Sequence, residues 1–134
     1  MILYTGGKYQ GKLQASLDEG VFTYDDVFDF GQVNKPEYSQ TSFADKKIWY
    51  HLEDYIRSLA MMGTDASQIE SMIKRLIEDC SPEVVIISET GAGVIPISEH
   101  ERTYREVCGK ISVELAKSAS EVYRVICGLK VKIK

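Results

Sequence analysis

The first thirteen residues constrain this chain more than any other segment. Residues 2–5 read Ile-Leu-Tyr-Thr, a short apolar run of the kind that forms a buried strand. Gly6 and Gly11 follow this run, and Lys12 comes directly after the second glycine. The spacing matches the phosphate-binding loop G-x-x-x-x-G-K-[ST] in its usual place after a strand, but Leu13 replaces the hydroxyl residue that would hold Mg²⁺. The segment therefore predicts nucleotide binding with an incomplete metal site.

The loop supplies most of the candidate binding residues. In such a loop the backbone N–H groups surround phosphate oxygens, and the lysine reaches the outer phosphates. Lys12 is accordingly a candidate catalytic residue. The predicted nucleotide-binding residues of the loop are Gly6, Gly7, Lys8, Tyr9, Gln10, Gly11, Lys12 and Leu13. The residues alone leave open an ordinary strand–turn–helix connection in which the glycines serve only the turn.

Length and composition limit the classes of protein to consider. A chain of 134 residues, 44% of them hydrophobic, predicts a single domain spanning residues 1–134. A net charge of -4 argues against nucleic-acid binding. The chain has no apolar run long enough for a membrane span and no pattern of a signal peptide, so a cytoplasmic protein is expected. Three widely spaced cysteines and two histidines predict reduced thiols and no structural zinc site.

The order of apolar patterns indicates an α/β fold. Besides residues 2–5, strands are predicted at residues 21–24, 27–30, 84–88, 121–127 and, as an edge strand, 129–134. Apolar stripes with helical spacing run over residues 43–59, 69–77 and 104–119. This alternation predicts a three-layer fold like that of P-loop NTPases, with a mainly parallel sheet flanked by helices. His51 falls inside the first predicted helix, where a structural role is expected.

Two consecutive segments resemble a known family. Residues 85–96 read V-I-I-S-E-T-G-A-G-V-I-P, similar to a V-S-N-E-V-G-x-G-I-V-P motif, and residues 102–109 read R-T-Y-R-E-V-C-G, similar to R-x-F-R-D-x-x-G. Residues 2–7 and 119–132 also resemble the same family, the CobU-type enzymes. These are bifunctional adenosylcobinamide kinases and adenosylcobinamide-phosphate guanylyltransferases of cobalamin biosynthesis.

The resemblance implies cofactors, partners and further site residues. It implies ATP or GTP with Mg²⁺, adenosylcobinamide as a partner, and a homo-oligomer, commonly a trimer. It places Glu89 near the nucleotide or metal as a second candidate catalytic residue, and it gives Arg102 and Arg105 a phosphate-binding role. Residues 20–47 contain no histidine, whereas the family carries its guanylylated histidine in the corresponding region. We therefore expect that guanylyltransferase activity is lost.

Two functions follow from these residues and from the resemblance, and an unrelated small-molecule kinase that keeps only the phosphate-binding loop is a further alternative. The first is a nucleotide-binding protein of adenosylcobinamide metabolism with weak kinase activity, a transferase limited by the Leu13 substitution. The second is a non-catalytic relative that binds a nucleotide or a corrinoid, or serves in assembly.

Overall fold

A six-stranded sheet forms the centre of the protein. The computed structural model describes residues 1–32, 43–91 and 98–134. The strands are β1 (Ile2–Thr5), β2 (Val27–Asp29), β3 (Ile48–Tyr50), β4 (Val84–Ile86), β5 (Glu121–Ile126) and β6 (Leu129–Lys132), in the order β2-β3-β4-β1-β5-β6. Strands β1 to β5 are parallel, and only β6 is antiparallel to its neighbour. The predicted parallel arrangement of β1, β4 and β5 is confirmed.

Four α-helices in the described residues cover the two faces of the sheet. They are α1 (Lys12–Leu17), α2 (Leu52–Met61), α3 (Ala66–Cys80) and α4 (Glu99–Ser118). Helix α1 has only six residues, whereas α4 has twenty. Ser98 caps the N-terminus of α4, and its hydroxyl accepts a hydrogen bond from the Glu101 N–H. No helix in the described part of the chain is long and apolar enough to cross a membrane.

The alternation of side chains along the strands separates two apolar layers. Leu3, Trp49 and Val85 face the large core under α2, α3 and α4. Tyr4 and Ile86 face the smaller core under α1. Because neighbouring positions on a strand point to opposite faces, each buried strand contributes to both layers. The predicted three-layer α/β fold is therefore confirmed.

The prediction of one helix over residues 43–59 is wrong. Residues 48–50 form β3, which lies between β2 and β4 and pairs with both, so tertiary pairing outweighs the helical spacing of the apolar residues. His51 then takes a left-handed backbone conformation, with φ 57°, and α2 begins at Leu52. Strand β3 therefore ends directly before His51, which lines the cleft described below.

The strand predicted at residues 21–24 is also absent. Residues 24–26 instead form a 3-10 turn, because Thr23 and Asp26 cap it reciprocally and the Thr23 N–H donates to Asp26 Oδ2 at 2.8 Å. Strand β2 begins only at Val27. Most of the predicted loop at residues 31–42 and of the glycine turn at residues 91–93 lies outside the described residues.

The three cysteines are free thiols, as predicted. Cys108 is buried under α2, and this burial raises the pKa of its thiol to about 12. The Cys108 thiol is therefore protonated at neutral pH and packs as a small apolar side chain.

Candidate functional site

The loop between β1 and α1 lies against β5. Gly6 has φ 137°, and a Cβ added there would lie 2.4 Å from the carbonyl oxygen of Val125. Only glycine combines this backbone conformation with so close an approach. On its other side the Gly6 carbonyl accepts a hydrogen bond from the Glu89 N–H at 2.9 Å. The start of the loop is thus fixed by β5 and by the segment that follows β4.

Gln10 fixes the second half of the loop. Its backbone carbonyl accepts from the Gly128 N–H at 2.9 Å, and its side-chain oxygen accepts from the Cys127 N–H at 2.7 Å. Tyr9, by contrast, is fully exposed at the tip of the loop and has a left-handed φ of 58°. The structure therefore places Gln10 as an anchor to the β5–β6 turn, and Tyr9 as a ring that is open to a ligand.

Lys12 lies beneath the loop with its ammonium group inside the protein. Its side chain is 4% exposed, and Nζ donates to the Gly7 carbonyl at 2.6 Å and to the Gly6 carbonyl at 3.4 Å. Burial lowers the pKa of Lys12, while the charges of Glu53 and Glu89 act in the opposite direction. A buried cation that is held by two neutral carbonyls leaves positive charge for an anion at the loop.

The opposite wall is built where β2 and β3 end. Asp29 is the last residue of β2, and His51 follows β3 directly. His51 Nδ1 lies 2.7 Å from Asp29 Oδ1. Glu53, in the first turn of α2, is 1% exposed, and within the described residues its Oε2 has no hydrogen-bond partner. A buried, unpartnered carboxylate oxygen is costly, and such groups are typical of functional sites.

These two walls enclose a cleft of about 270 Å³. It lies beyond the carboxyl ends of parallel strands, where ligands of such sheets bind. The residues that line it are Lys8, Tyr9, Lys12, Asp29, Gly31, Gln32, Tyr50, His51, Glu53, Asp54 and Ser88. The two lysines of the loop therefore lie opposite the His51 imidazole and the carboxylates of β2 and α2.

The structure brings together only some of the residues predicted from sequence. Lys8, Tyr9 and Lys12 line the cleft, whereas Glu89 forms two hydrogen bonds to Arg124 on β5, at 2.7 and 2.9 Å. The Glu89 carboxylate is therefore paired with Arg124 and does not line the described cleft. Arg102 lies in the first turns of α4 and, with Arg105, is absent from the described lining of the cleft.

His51 and Glu53 are two cleft residues for which the sequence predicted no functional role. The signal that could have found them is the apolar run at residues 48–50, followed at once by His51 and two acidic residues. Polar residues directly after a buried parallel strand mark the ligand-binding edge of a sheet.

The described residues do not fit the Mg²⁺ site of a complete phosphate-binding loop. Leu13 is half-buried and packs against the smaller core, so no hydroxyl follows Lys12. Across residues 1–32, 43–91 and 98–134, no group of three or more histidine, cysteine or acidic side chains is arranged to hold a metal ion. The cationic side chains of the loop that line the cleft are Lys8 and Lys12.

Nucleotide affinity should consequently depend little on Mg²⁺. We expect the dissociation constants of ATP with excess Mg²⁺ and with EDTA to differ by less than about threefold, or about 0.7 kcal/mol. Calorimetric titrations of the same preparation under the two conditions measure this ratio directly. A tenfold gain in affinity with Mg²⁺ would show that a metal ligand exists at the bound phosphates.

A second cavity lies far from these groups. It is a groove of about 560 Å³ between α3 and α4, and Ile73, Ile77 and Leu115 contribute to its lining. The groove contains neither the glycine loop nor any strand end. We therefore place the candidate site at the smaller cleft, where the cationic and acidic groups converge.

Comparisons with known proteins show similarity over most of the chain after residue 46. Residues 47–133 match the model of the family described as cobinamide kinase / cobinamide phosphate guanyltransferase. The match includes β3, the start of α2, and strands β4 to β6, while residues 1–46 with the glycine loop lie outside it.

Two curated proteins are similar to about half of the chain. The bifunctional adenosylcobalamin biosynthesis protein CobU of Escherichia coli is 36% identical over 76 residues, which cover 56% of this chain and 41% of that protein. Its namesake in Salmonella typhimurium is 34% identical over 70 residues, which cover 49% of this chain and 39% of that protein. The chain thus spans less than half the length of the curated relatives it matches.

Proposed function

The chain belongs to the cobinamide kinase / cobinamide phosphate guanyltransferase family, and from this premise we propose that it binds ATP or GTP and acts in cobalamin biosynthesis as a slow adenosylcobinamide kinase. The reaction moves the terminal phosphoryl group of the nucleotide to the hydroxyl of the corrinoid side chain. The curated relatives carry the name of adenosylcobalamin biosynthesis proteins, which gives the proposal its substrate class.

The buried ammonium of Lys12 is the observation that carries this proposal. Phosphoryl transfer is catalysed mainly by positioning and by offsetting the charge of the transferred group. Lys12 supplies that charge beneath the loop, and Lys8 adds an exposed cation on the same side of the cleft. The opposite wall carries His51 and Glu53, which are groups that can accept hydrogen bonds from an alcohol. One cleft therefore offers a phosphate side and an acceptor side.

Direct assay of phosphoryl transfer tests the proposal. The protein is incubated with adenosylcobinamide and γ-labelled ATP or GTP, and the corrinoid fraction is separated and counted. We expect label in the corrinoid together with an equal amount of nucleoside diphosphate. Adenosylcobinamide phosphate is the matched control, because its hydroxyl is already esterified and it should take up no label. Equal labelling of the two corrinoids would contradict transfer to this hydroxyl.

The half-buried Leu13 favours a second candidate function. Because this side chain packs into the smaller core, the position after Lys12 offers no oxygen ligand. A relative without catalysis would still bind the nucleotide or the corrinoid through the same cleft. Saturable binding with no labelled product over a long incubation would favour this non-catalytic reading over the kinase.

Guanylyl transfer is not part of the proposed function. The transfer requires a nucleophile that carries GMP covalently, a role that imidazole fills well. The two histidines of the chain, His51 and His100, both lie outside residues 20–47, the segment in which the resemblance places the guanylylated histidine. Intact-mass spectrometry after incubation with Mg²⁺ and GTP should show the unmodified protein, and a stable GMP adduct would contradict the expected loss of guanylyltransferase activity.

A further inference from the structure

The ends of two neighbouring strands bring a carboxylate and an imidazole together. Strands β2 and β3 pair in parallel, with Asp29 opposite Tyr50. His51, the next residue, therefore lies beside the end of β2, and its Nδ1 reaches Asp29 Oδ1 at 2.7 Å. The contact joins residues that are 22 positions apart in sequence, so the sheet itself positions the pair.

Several contacts fix the orientation of this imidazole. The His51 ring stacks on Tyr50, with ring centroids 3.6 Å apart. The Gly31 N–H donates to Asp29 Oδ1 at 2.8 Å, and a Cβ at Gly31 would lie 2.9 Å from His51 Nδ1 and from Asp54 Oδ2. Glycine at position 31 thus lets the backbone approach the pair closely.

The backbone conformation at His51 adds a second constraint. Its φ of 57° is in the left-handed region, which a non-glycine residue adopts at an energetic cost. Such strain is often stored at functional sites, where it aims a side chain. Here it places the ring in the lining of the same cleft as Lys8 and Lys12.

The hydrogen bond to Asp29 determines which ring nitrogen is free. An ionised carboxylate only accepts hydrogen bonds, so the proton of the neutral imidazole lies on Nδ1. Nε2 then keeps a lone pair that can accept a proton from a ligand. His51 is therefore a base whose orientation is fixed by Asp29. The pair is partly accessible, since the side chains of His51 and Asp29 are 31% and 18% exposed.

We propose that His51, held by Asp29, is the general base for the proposed kinase reaction. The inference rests on the proposed function and adds the group that receives the acceptor's proton. The hydroxyl proton of the corrinoid passes to His51 Nε2 while its oxygen bonds to the terminal phosphorus of the nucleotide. The bond between that phosphorus and the bridging oxygen breaks, and the products are a phosphate ester and a nucleoside diphosphate. The imidazolium then returns its proton to water.

The charged groups around His51 define the setting in which this base works. Asp29 meets it from β2, Tyr50 stacks on it from β3, and Asp54 approaches the same point from α2. Lys8 and Lys12 line the cleft from the loop side, and Glu53 lines it from α2. The base thus has carboxylates on the side of β2 and α2, and lysines on the side that would hold phosphate.

The tautomer of His51 can be measured in the free protein, without any reaction. Nitrogen-15 NMR of the histidine ring should show a protonated Nδ1 and an unprotonated Nε2. Asp29→Asn should raise the population of the other tautomer, because an amide can also donate. His100 is the internal control, and its signal should be the same in both proteins. A wild-type His51 that is protonated at Nε2 would overturn the proposal while leaving nucleotide binding untouched.

The closing experiment measures phosphoryl transfer by His51→Asn, with His100→Gln as the matched control. Asparagine tolerates a left-handed backbone but cannot accept the proton, so kcat should fall at least ~100-fold while the KM for nucleotide changes less than ~3-fold. The fall in wild-type kcat toward acid pH should be absent from the variant. An unchanged kcat overturns the base role alone, as does a phosphoryl adduct on His51, whereas a GMP adduct on His51 overturns both the base role and the expected loss of guanylyltransferase activity. No transfer by the wild-type protein overturns the base role together with the proposed function.

Discussion

Gly6→Ala is expected to destabilise the folded protein by about 3 kcal/mol or more. The new Cβ would lie 2.4 Å from the Val125 carbonyl oxygen, and φ at this position is 137°. The obstacle is backbone on a central parallel strand, which cannot rotate away as a side chain would. The loop must therefore leave β5, and the hydrogen bond from Glu89 to the Gly6 carbonyl is lost with it.

Two other glycines provide matched controls for Gly6→Ala. Gly20 also has a positive φ, of 73°, but a Cβ there meets nothing within 4 Å, so Gly20→Ala isolates the cost of the backbone conformation. Gly7→Ala meets only the Gln10 side chain at 3.5 Å and should change stability by less than about 1 kcal/mol. Urea denaturation of the three variants gives the comparison. A Gly6→Ala protein as stable as Gly20→Ala would contradict the contact between the loop and β5.

Lys12→Met should weaken nucleotide binding at least about 30-fold, or about 2 kcal/mol. The change removes the cation that lies beneath the loop and leaves a side chain of similar length. Lys8→Met is the control, because Lys8 is exposed on the same loop and its loss should cost only about 3-fold. Calorimetric titration with ATP and GTP measures both. Equal losses of nucleotide affinity in the two variants would show that Lys12 contributes no more to phosphate binding than an exposed lysine does.

Lys12→Met has a second expected effect, on folding. Lys12 offsets the charge of Glu53, which is 1% exposed, so removing the lysine leaves a buried carboxylate without this cation. A buried charge that loses a nearby opposite charge is destabilised, so the midpoint of urea unfolding should fall in this variant. Adding Glu53→Gln should restore much of this stability without restoring nucleotide affinity. Recovery of nucleotide binding in the double variant would mean that Lys12→Met weakens binding by destabilising the fold and not by removing the positive charge.

The pH dependence of binding follows from the buried position of Lys12. Because burial lowers the pKa of this ammonium, it loses its proton at a lower pH than an exposed lysine does. The charged form is the one that binds phosphate, so affinity should fall as pH rises through that lowered pKa. Binding in the alkaline range should also take up protons, since a bound phosphate favours the charged ammonium.

The parallel core of this fold could be predicted from sequence because its signals are local. Residues 2–5 and 84–88 are uninterrupted apolar runs between turn-forming residues, and such runs form buried strands in α/β proteins. Strand β3 could not be found in this way, since its three residues also fit the helical spacing of the apolar residues around it. Its pairing with β2 and β4 decides the outcome, and that pairing is not encoded locally.

The candidate site could likewise be predicted only where its residues follow from local sequence. The spacing of the glycine loop predicted Lys12 and the exposed Tyr9 at the cleft, because both follow from the loop's own geometry. Gln10 and Glu89 instead contact β5 or the turn after it, and those contacts depend on how distant strands assemble. The apolar spacing predicts a helix interior at His51, and only the pairing of β3 in the sheet shows that this residue follows the end of a strand.

Mapping of a bound nucleotide by NMR tests the central claim most directly. Amide resonances of the nitrogen-15-labelled protein are followed during titration with ATP or GTP to millimolar concentration. The account predicts saturable shifts at residues 6–12 and 51–54, on the two walls of the cleft, and their loss in Lys12→Met. Shifts confined to the groove between α3 and α4, or no saturable shift at residues 6–12, would contradict it.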